Sequence, residues 1–139
     1  MKKVFALLGI LVISVIPLAA ASCGPGGLSA SLGEQFTLPI GQTIAIKGTD
    51  LKITFEEVNG DSRCATGNTC VWEGVAKCRG IIDYAGDKNI IIFTITGSGV
   101  TDQSLAHGFT ASYTLEPYPV AGQTIAHGDY YLLMTVTRE

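Results

Sequence analysis

Phe109, Ala111, Tyr113 and Leu115 alternate with Thr110, Ser112, Thr114 and Glu116, and this period of two recurs along much of the chain. Successive side chains on a strand point to opposite faces, so such a segment buries one face and cannot lie comfortably as a helix. Leu51, Ile53 and Phe55 alternate with Lys52, Thr54 and Glu56, and the period slips at Glu56-Glu57-Val58, which predicts a bulge. Residues 129–137 place Tyr130, Leu132, Met134 and Val136 on one face. Further strands are expected over residues 35–39, 43–47, 71–84 and 90–96, with Ala76, Cys78, Gly80 and Ile82 sharing a face. Ile90 to Thr96 is apolar on both faces and reads as a central strand. Ala85-Gly86-Asp87-Lys88 reads as a hairpin turn, and residues 59–69 and 97–108 read as loops.

About seven short strands without helical periodicity predict an all-β chain, a single antiparallel β-sandwich. Its expected core is Ile53, Phe55, Ile92, Phe109, Tyr113, Leu115, Leu132, Met134 and Val136. Gly41-Gln42-Thr43-Ile44-Ala45 recurs as Gly122-Gln123-Thr124-Ile125-Ala126. Nothing around the two copies matches, so this is either a pair of equivalent turns or common turn chemistry, and not a repeat architecture.

The first 22 residues follow a different logic. Met1-Lys2-Lys3 is basic, Val4 to Ala21 carries no charge, and Pro17 precedes the small run Ala19-Ala20-Ala21-Ser22. That is an export signal. Its apolar stretch is also about long enough to serve as an uncleaved anchor. One cut after Ala21 would free Ser22; another would fall before Cys23. Ala20-Ala21-Ser22-Cys23 resembles a bacterial lipobox, with Ala20 where the commonest form has Leu. The resemblance implies a signal peptide over 1–22 and a diacylglyceryl group with an N-acyl chain such as palmitate on Cys23. Residues 23–33 would be a flexible tether and 34–139 the sandwich domain. The expected location is the cell envelope, lipid-anchored, facing the periplasm or exterior.

Removing the signal leaves 139 − 22 = 117 residues, enough for one domain. All 12 acids remain but Lys2 and Lys3 do not, so the balance is 7 − 12 = −5. Scattered basic residues on an acidic chain exclude a nucleic-acid partner, which needs clustered Lys and Arg.

The densest motif runs from Asp61-Ser62-Arg63-Cys64 through Cys70-Val71-Trp72-Glu73-Gly74. Exported cysteines meet an oxidising compartment, so a Cys64–Cys70 disulfide is expected, and closing so small a ring stabilises by about 2 kcal/mol. Trp72, two residues on, is expected to cover the staple or the core beside it. Asp61 is expected to accept backbone N–H bonds, and Arg63 to pair with Glu56, Glu57 or Glu73. Intervals of five and seven residues do not suit zinc. Cys78 reads as a buried free thiol, or as a partner of Cys23 if that residue is not acylated.

This motif resembles one in a group of uncharacterised prokaryotic secreted proteins and lipoproteins: Asp-Ser-Arg-Cys-Pro, a few residues, then Cys, a hydrophobic residue, Trp, a small residue and Gly. The chain matches it at Asp61, Ser62, Arg63, Cys64, Cys70, Val71, Trp72 and Gly74, with Ala65 in place of Pro. The resemblance implies a disulfide-stapled β domain outside the cytoplasm and no particular activity.

His107 and His127 each sit in Ala-His-Gly without a partnering carboxylate or nucleophile motif. Asp83, Asp87 and Asp102 lack calcium-loop spacing, and Ser62 and Ser104 lie in no nucleophile elbow. The expectation is therefore no catalytic residue, metal or cofactor, and not an enzyme. The expected function is a non-catalytic binding or accessory module with an unidentified envelope or extracellular protein partner. Its recognition loop would present Asp61, Arg63, Thr66, Asn68 and Thr69. An inhibitor of an extracellular hydrolase presenting the 64–70 loop, and a purely structural envelope protein, are the alternatives.

Overall fold

The alternating segments pair into two sheets that face each other with their apolar sides. The computed structural model describes residues 27–139; the expected signal and the first four residues of the expected tether, Cys23 among them, lie outside them. Nine strands follow: β1 (Leu28–Ala30), β2 (Gln35–Pro39), β3 (Thr43–Ile46), β4 (Leu51–Asp61), β5 (Val75–Tyr84), β6 (Asp87–Thr96), β7 (Thr101–Ser104), β8 (Phe109–Glu116) and β9 (Tyr131–Arg138). One sheet has the order β1-β3-β4-β5-β6 and the other β2-β9-β8-β7. Every pairing is antiparallel except that of β1 with β3. The fold is an all-β sandwich.

The core lies between the sheets and is filled by Leu38, Ile53, Phe55, Phe93, Phe109, Tyr113, Leu115, Leu132, Met134 and their neighbours. Gly80 faces inward opposite Phe55, and a Cβ there would collide with the Phe93 ring and the Thr54 carbonyl. The predicted bulge falls between Phe55 and Glu57, and a second follows between Val58 and Gly60. Ala85 and Gly86 both have positive φ (52° and 92°), the two-residue turn whose twist suits a hairpin. The two Gly-Gln-Thr-Ile-Ala segments form equivalent turns: Gln42 N–H bonds to Pro39 O and Gln123 N–H to Val120 O, with Gly41 and Gly122 at positive φ.

Four expectations need correction. β6 is an edge strand, not a central one. Its outer face is uncovered, so Ile92 is 45% exposed while Phe93 and Ile95 enter the core. β7 lies inside the expected 97–108 loop; Thr-Asp-Gln-Ser carries no apolar period to announce it. β1 lies inside the expected tether and buries Ala30, so only residues 24–27 separate Cys23 from the first strand. Finally, β4 continues to Asp61 and β5 begins only at Val75, because residues 62–74 leave the regular ladder.

The free edge of β6 is closed from the opposite sheet. Thr94 N–H donates to Tyr113 Oη (3.3 Å), Tyr113 O–H donates to Gln103 Oε1 (2.6 Å), and Gln103 Nε2 donates to Ile92 O (3.3 Å). A long edge strand is a template for unwanted pairing, and here side chains occupy part of it.

Leu132→Ala, at the centre of the core, is expected to cost about 2–5 kcal/mol in urea unfolding, whereas Ile92→Ala should shift it by less than about 0.5 kcal/mol.

Candidate functional site

Four connections close one end of the sandwich, residues 40–42, 62–74, 97–100 and 117–130, and the last three build the site. They are tied by backbone bonds. Ser62 N–H donates to Val75 O (2.8 Å), Cys64 N–H to Glu73 O (2.8 Å), and Gly97 N–H to Gly74 O (3.1 Å). Thr66 N–H donates to Pro119 O (2.9 Å), and Ala121 N–H to Thr66 O (2.9 Å). Cys64 is bonded to Cys70.

Arg63 holds this end together. Its side chain is wholly buried. Nε and Nη2 donate to the two carboxylate oxygens of Asp61 (2.8 and 2.7 Å), a bidentate pair. Nη1 donates to Leu115 O (2.6 Å) and Nη2 to Pro117 O (3.1 Å). β7 stops opposite Tyr113, so the end of β8 has a strand partner on only one side, and Arg63 supplies donors there. Tyr118 lies against the guanidinium, 5.0 Å from ring centre to Cζ, and its hydroxyl donates to Cys64 O (2.8 Å). Tyr130 O–H donates to Asp61 Oδ2 (3.2 Å). Burial pulls the Asp61 carboxyl upward, but the Arg63 hydrogen bonds and charge, with Tyr130, outweigh it and leave its pKa lowered. The same balance, reversed in sign, raises that of Arg63.

The expected recognition loop therefore divides. Asp61 and Arg63 are internal and pair with each other, not with Glu56, Glu57 or Glu73; Arg79 occupies Glu56 instead (3.1 Å). Asp61 does accept one backbone bond, from Arg63 N–H (3.2 Å). Thr66, Asn68 and Thr69 are exposed. Trp72 does not cover the staple or the core: it is 65% exposed, and Val71 beside it is fully exposed. The reason is local. Residues 71–74 are not strand, so the two-residue spacing from Cys70 sets no common face. Gly74, with φ 70°, turns the chain hard against Ser62, where a Cβ would strike the Ser62 carbonyl. A glycine fixed by close backbone approach directly after Trp-Glu was the available sign that the strand begins later.

An open groove of about 410 Å³ adjoins the base of this loop, lined by Asn59, Gly60, Asp61, Ser62, Val75 and Lys77. Cys78 is free and buried, and desolvation pushes its thiol up to about 12. His107 stacks on Tyr84 (centroids 4.1 Å) at the far end of the sandwich, while His127 lies in the 117–130 connection. Among the described residues no group of three His, Cys, Asp or Glu side chains is placed to hold a metal ion. Compared with known proteins, the chain matches no family model, no curated protein and no solved structure.

Removing one partner of a buried pair strands the other, so Arg63→Met is expected to cost about 3–5 kcal/mol in urea unfolding. Because the folded pKa of Asp61 is lowered, its contribution is complete above the ordinary value of 3.8 and is lost as pH falls through the folded value. Unfolding curves taken down to about pH 2 should show that acid-side loss in the wild type and less of it in Asp61→Asn.

Cys78 should resist iodoacetamide in the native protein and react once urea unfolds it, as read by peptide mass; labelling in the native state would contradict its burial.

Proposed function

We propose that this protein is a non-catalytic binding module of the cell envelope, carried on a lipid anchor at Cys23, with its contact surface at the stapled end. The observation that carries the reading is the exposure of Val71 and Trp72 on the most heavily anchored loop of the molecule. Buried Arg63, the disulfide, the Tyr118 hydroxyl and the bridge to residues 119–121 all hold this loop. None of them covers the indole. A pre-formed loop loses little entropy on binding, and tryptophan is among the side chains that dominate contact energetics. The contact is centred on Val71 and Trp72, with Thr66, Asn68 and Thr69 around it. The leader and the lipobox-like Ala20-Ala21-Ser22-Cys23 support an envelope address, as does the resemblance of the cysteine motif to secreted and lipoprotein domains. An inhibitor presenting residues 64–70 is less well served, since the Thr66 backbone is already engaged by Pro119 and Ala121.

A photo-crosslinking residue at position 71, in the full chain in intact cells, should give a discrete adduct; one at Lys88 in the far hairpin should not. Trp72→Ala should reduce that adduct while changing stability by less than about 0.5 kcal/mol. Equal adduct yields from positions 71 and 88 would overturn the assignment.

A further inference from the structure

The direction in which the chain enters the first sheet identifies what the stapled end meets; the inference rests on the reading of that end as a contact surface. β1 runs parallel to β3 with Leu28 opposite Ile44, and Ile44 faces Ile53 of β4. Followed backwards from Leu28, the chain therefore heads the way β4 runs, towards Asp61 and the stapled loop. Ile53 pairs with Ile82 and Asp61 with Ala76, six residues apart on β5, so Leu28 stands about 20 Å short of Asp61 along the strand axis. Trp72 belongs to the loop beyond Asp61. Only residues 24–27 intervene between Cys23 and Leu28, and five Cα–Cα steps span at most about 18 Å. The tether is thus shorter than the projection of the loop, and β1, followed backwards, points towards the loop's end of the sandwich. A domain held by acyl chains at Cys23 cannot extend along its exit direction without bringing the stapled end to the lipid surface.

We propose that Val71 and Trp72 insert into the interfacial layer of the same bilayer that holds the Cys23 acyl chains, forming a second membrane contact. Tryptophan suits that layer, because its ring is apolar and its N–H finds partners among the headgroups. Val71 adds an apolar side chain with no neighbour to lose. Net charge gives no attraction: the chain after residue 22 carries 7 − 12 = −5, the Arg63 side chain at this end is buried, and Lys77 beside the groove is a single exposed cation there. Zwitterionic lipid is therefore sufficient, and added salt has little effect. The consequence is orientation: the far hairpin at Ala85-Gly86 is turned away from the bilayer.

Trp72 is the single tryptophan of the chain, so its emission reports this loop alone. The acylated protein in phosphatidylcholine vesicles should show blue-shifted emission, protection from iodide and quenching by brominated acyl chains. Val71→Asp, a change at a fully exposed position, should restore iodide access. In the Cys23→Ser form the same change should weaken vesicle partition about tenfold. Iodide quenching of the acylated protein in vesicles equal to that of the Cys23→Ser form in solution would overturn the proposal, as would the absence of acyl mass on Cys23. If Trp72 is open to iodide in vesicles yet position 71 still crosslinks to an envelope protein, the membrane contact fails and the contact-surface reading stands. If position 71 gives no adduct to lipid or protein, both fail.

Discussion

The stapled end depends on one buried ion pair. Arg63 and Asp61 lie two residues apart where β4 leaves its sheet, and the guanidinium reaches across to the Leu115 and Pro117 carbonyls at the end of β8. It therefore joins the two sheets where the β4–β5 ladder ends. A buried charge is costly unless its partners are complete, and here carboxylate, carbonyls and an aromatic face surround the cation. Tyr130 and Tyr118 extend the network to β9 and to the disulfide. The staple encloses five residues, 65–69, whereas Arg63 fixes where the stapled loop sits on the sandwich.

The two open sides of the sandwich are managed differently. On the β6–β7 side, Tyr113 and Gln103 send side-chain bonds to the backbone of β6. On the β1–β2 side the chain crosses between sheets at residues 31–34, and Gly33 N–H donates to Val136 O (2.8 Å). β1 is only three residues long and β2 ends in Pro39, both features that blunt an edge. Both solutions use features that alternation alone does not display.

What the sequence made legible follows from what alternation reports. Where one face is buried and the other wet, as in β8 and β9, the period of two named the strand and its core residues, Phe109, Tyr113, Leu115, Leu132, Met134 and Val136. Where exposure is set by neighbouring strands, the pattern was silent or misleading: Ile92 lies on an apolar run but on an uncovered face. Polar β7 and three-residue β1 held too few apolar positions to register. The site divided the same way. The Cys64–Cys70 bond was legible from spacing and expected compartment. The backbone bond accepted by Asp61 was legible too, but its pairing with Arg63 and the exposure of Trp72 were not, because pairing in space and ring exposure depend on contacts from β8, β9 and the 117–130 connection.

The two ends of the molecule are built unequally, and the inequality bears on function. The far end closes with residues 31–34, 47–50, the Ala85-Gly86 turn and 105–108, and His107 there is packed on Tyr84. The near end holds the connections 62–74 and 117–130, the buried ion pair and the disulfide. Stability alone does not require such a concentration of anchors under an exposed tryptophan, since short turns close the other end without them. An exposed indole gains from anchoring only if it must hold one position against something outside the domain. The anchors make sense as a mount for Val71 and Trp72, and with Cys23 acylated as proposed, the short tether would make the bilayer the nearest surface for those residues to meet.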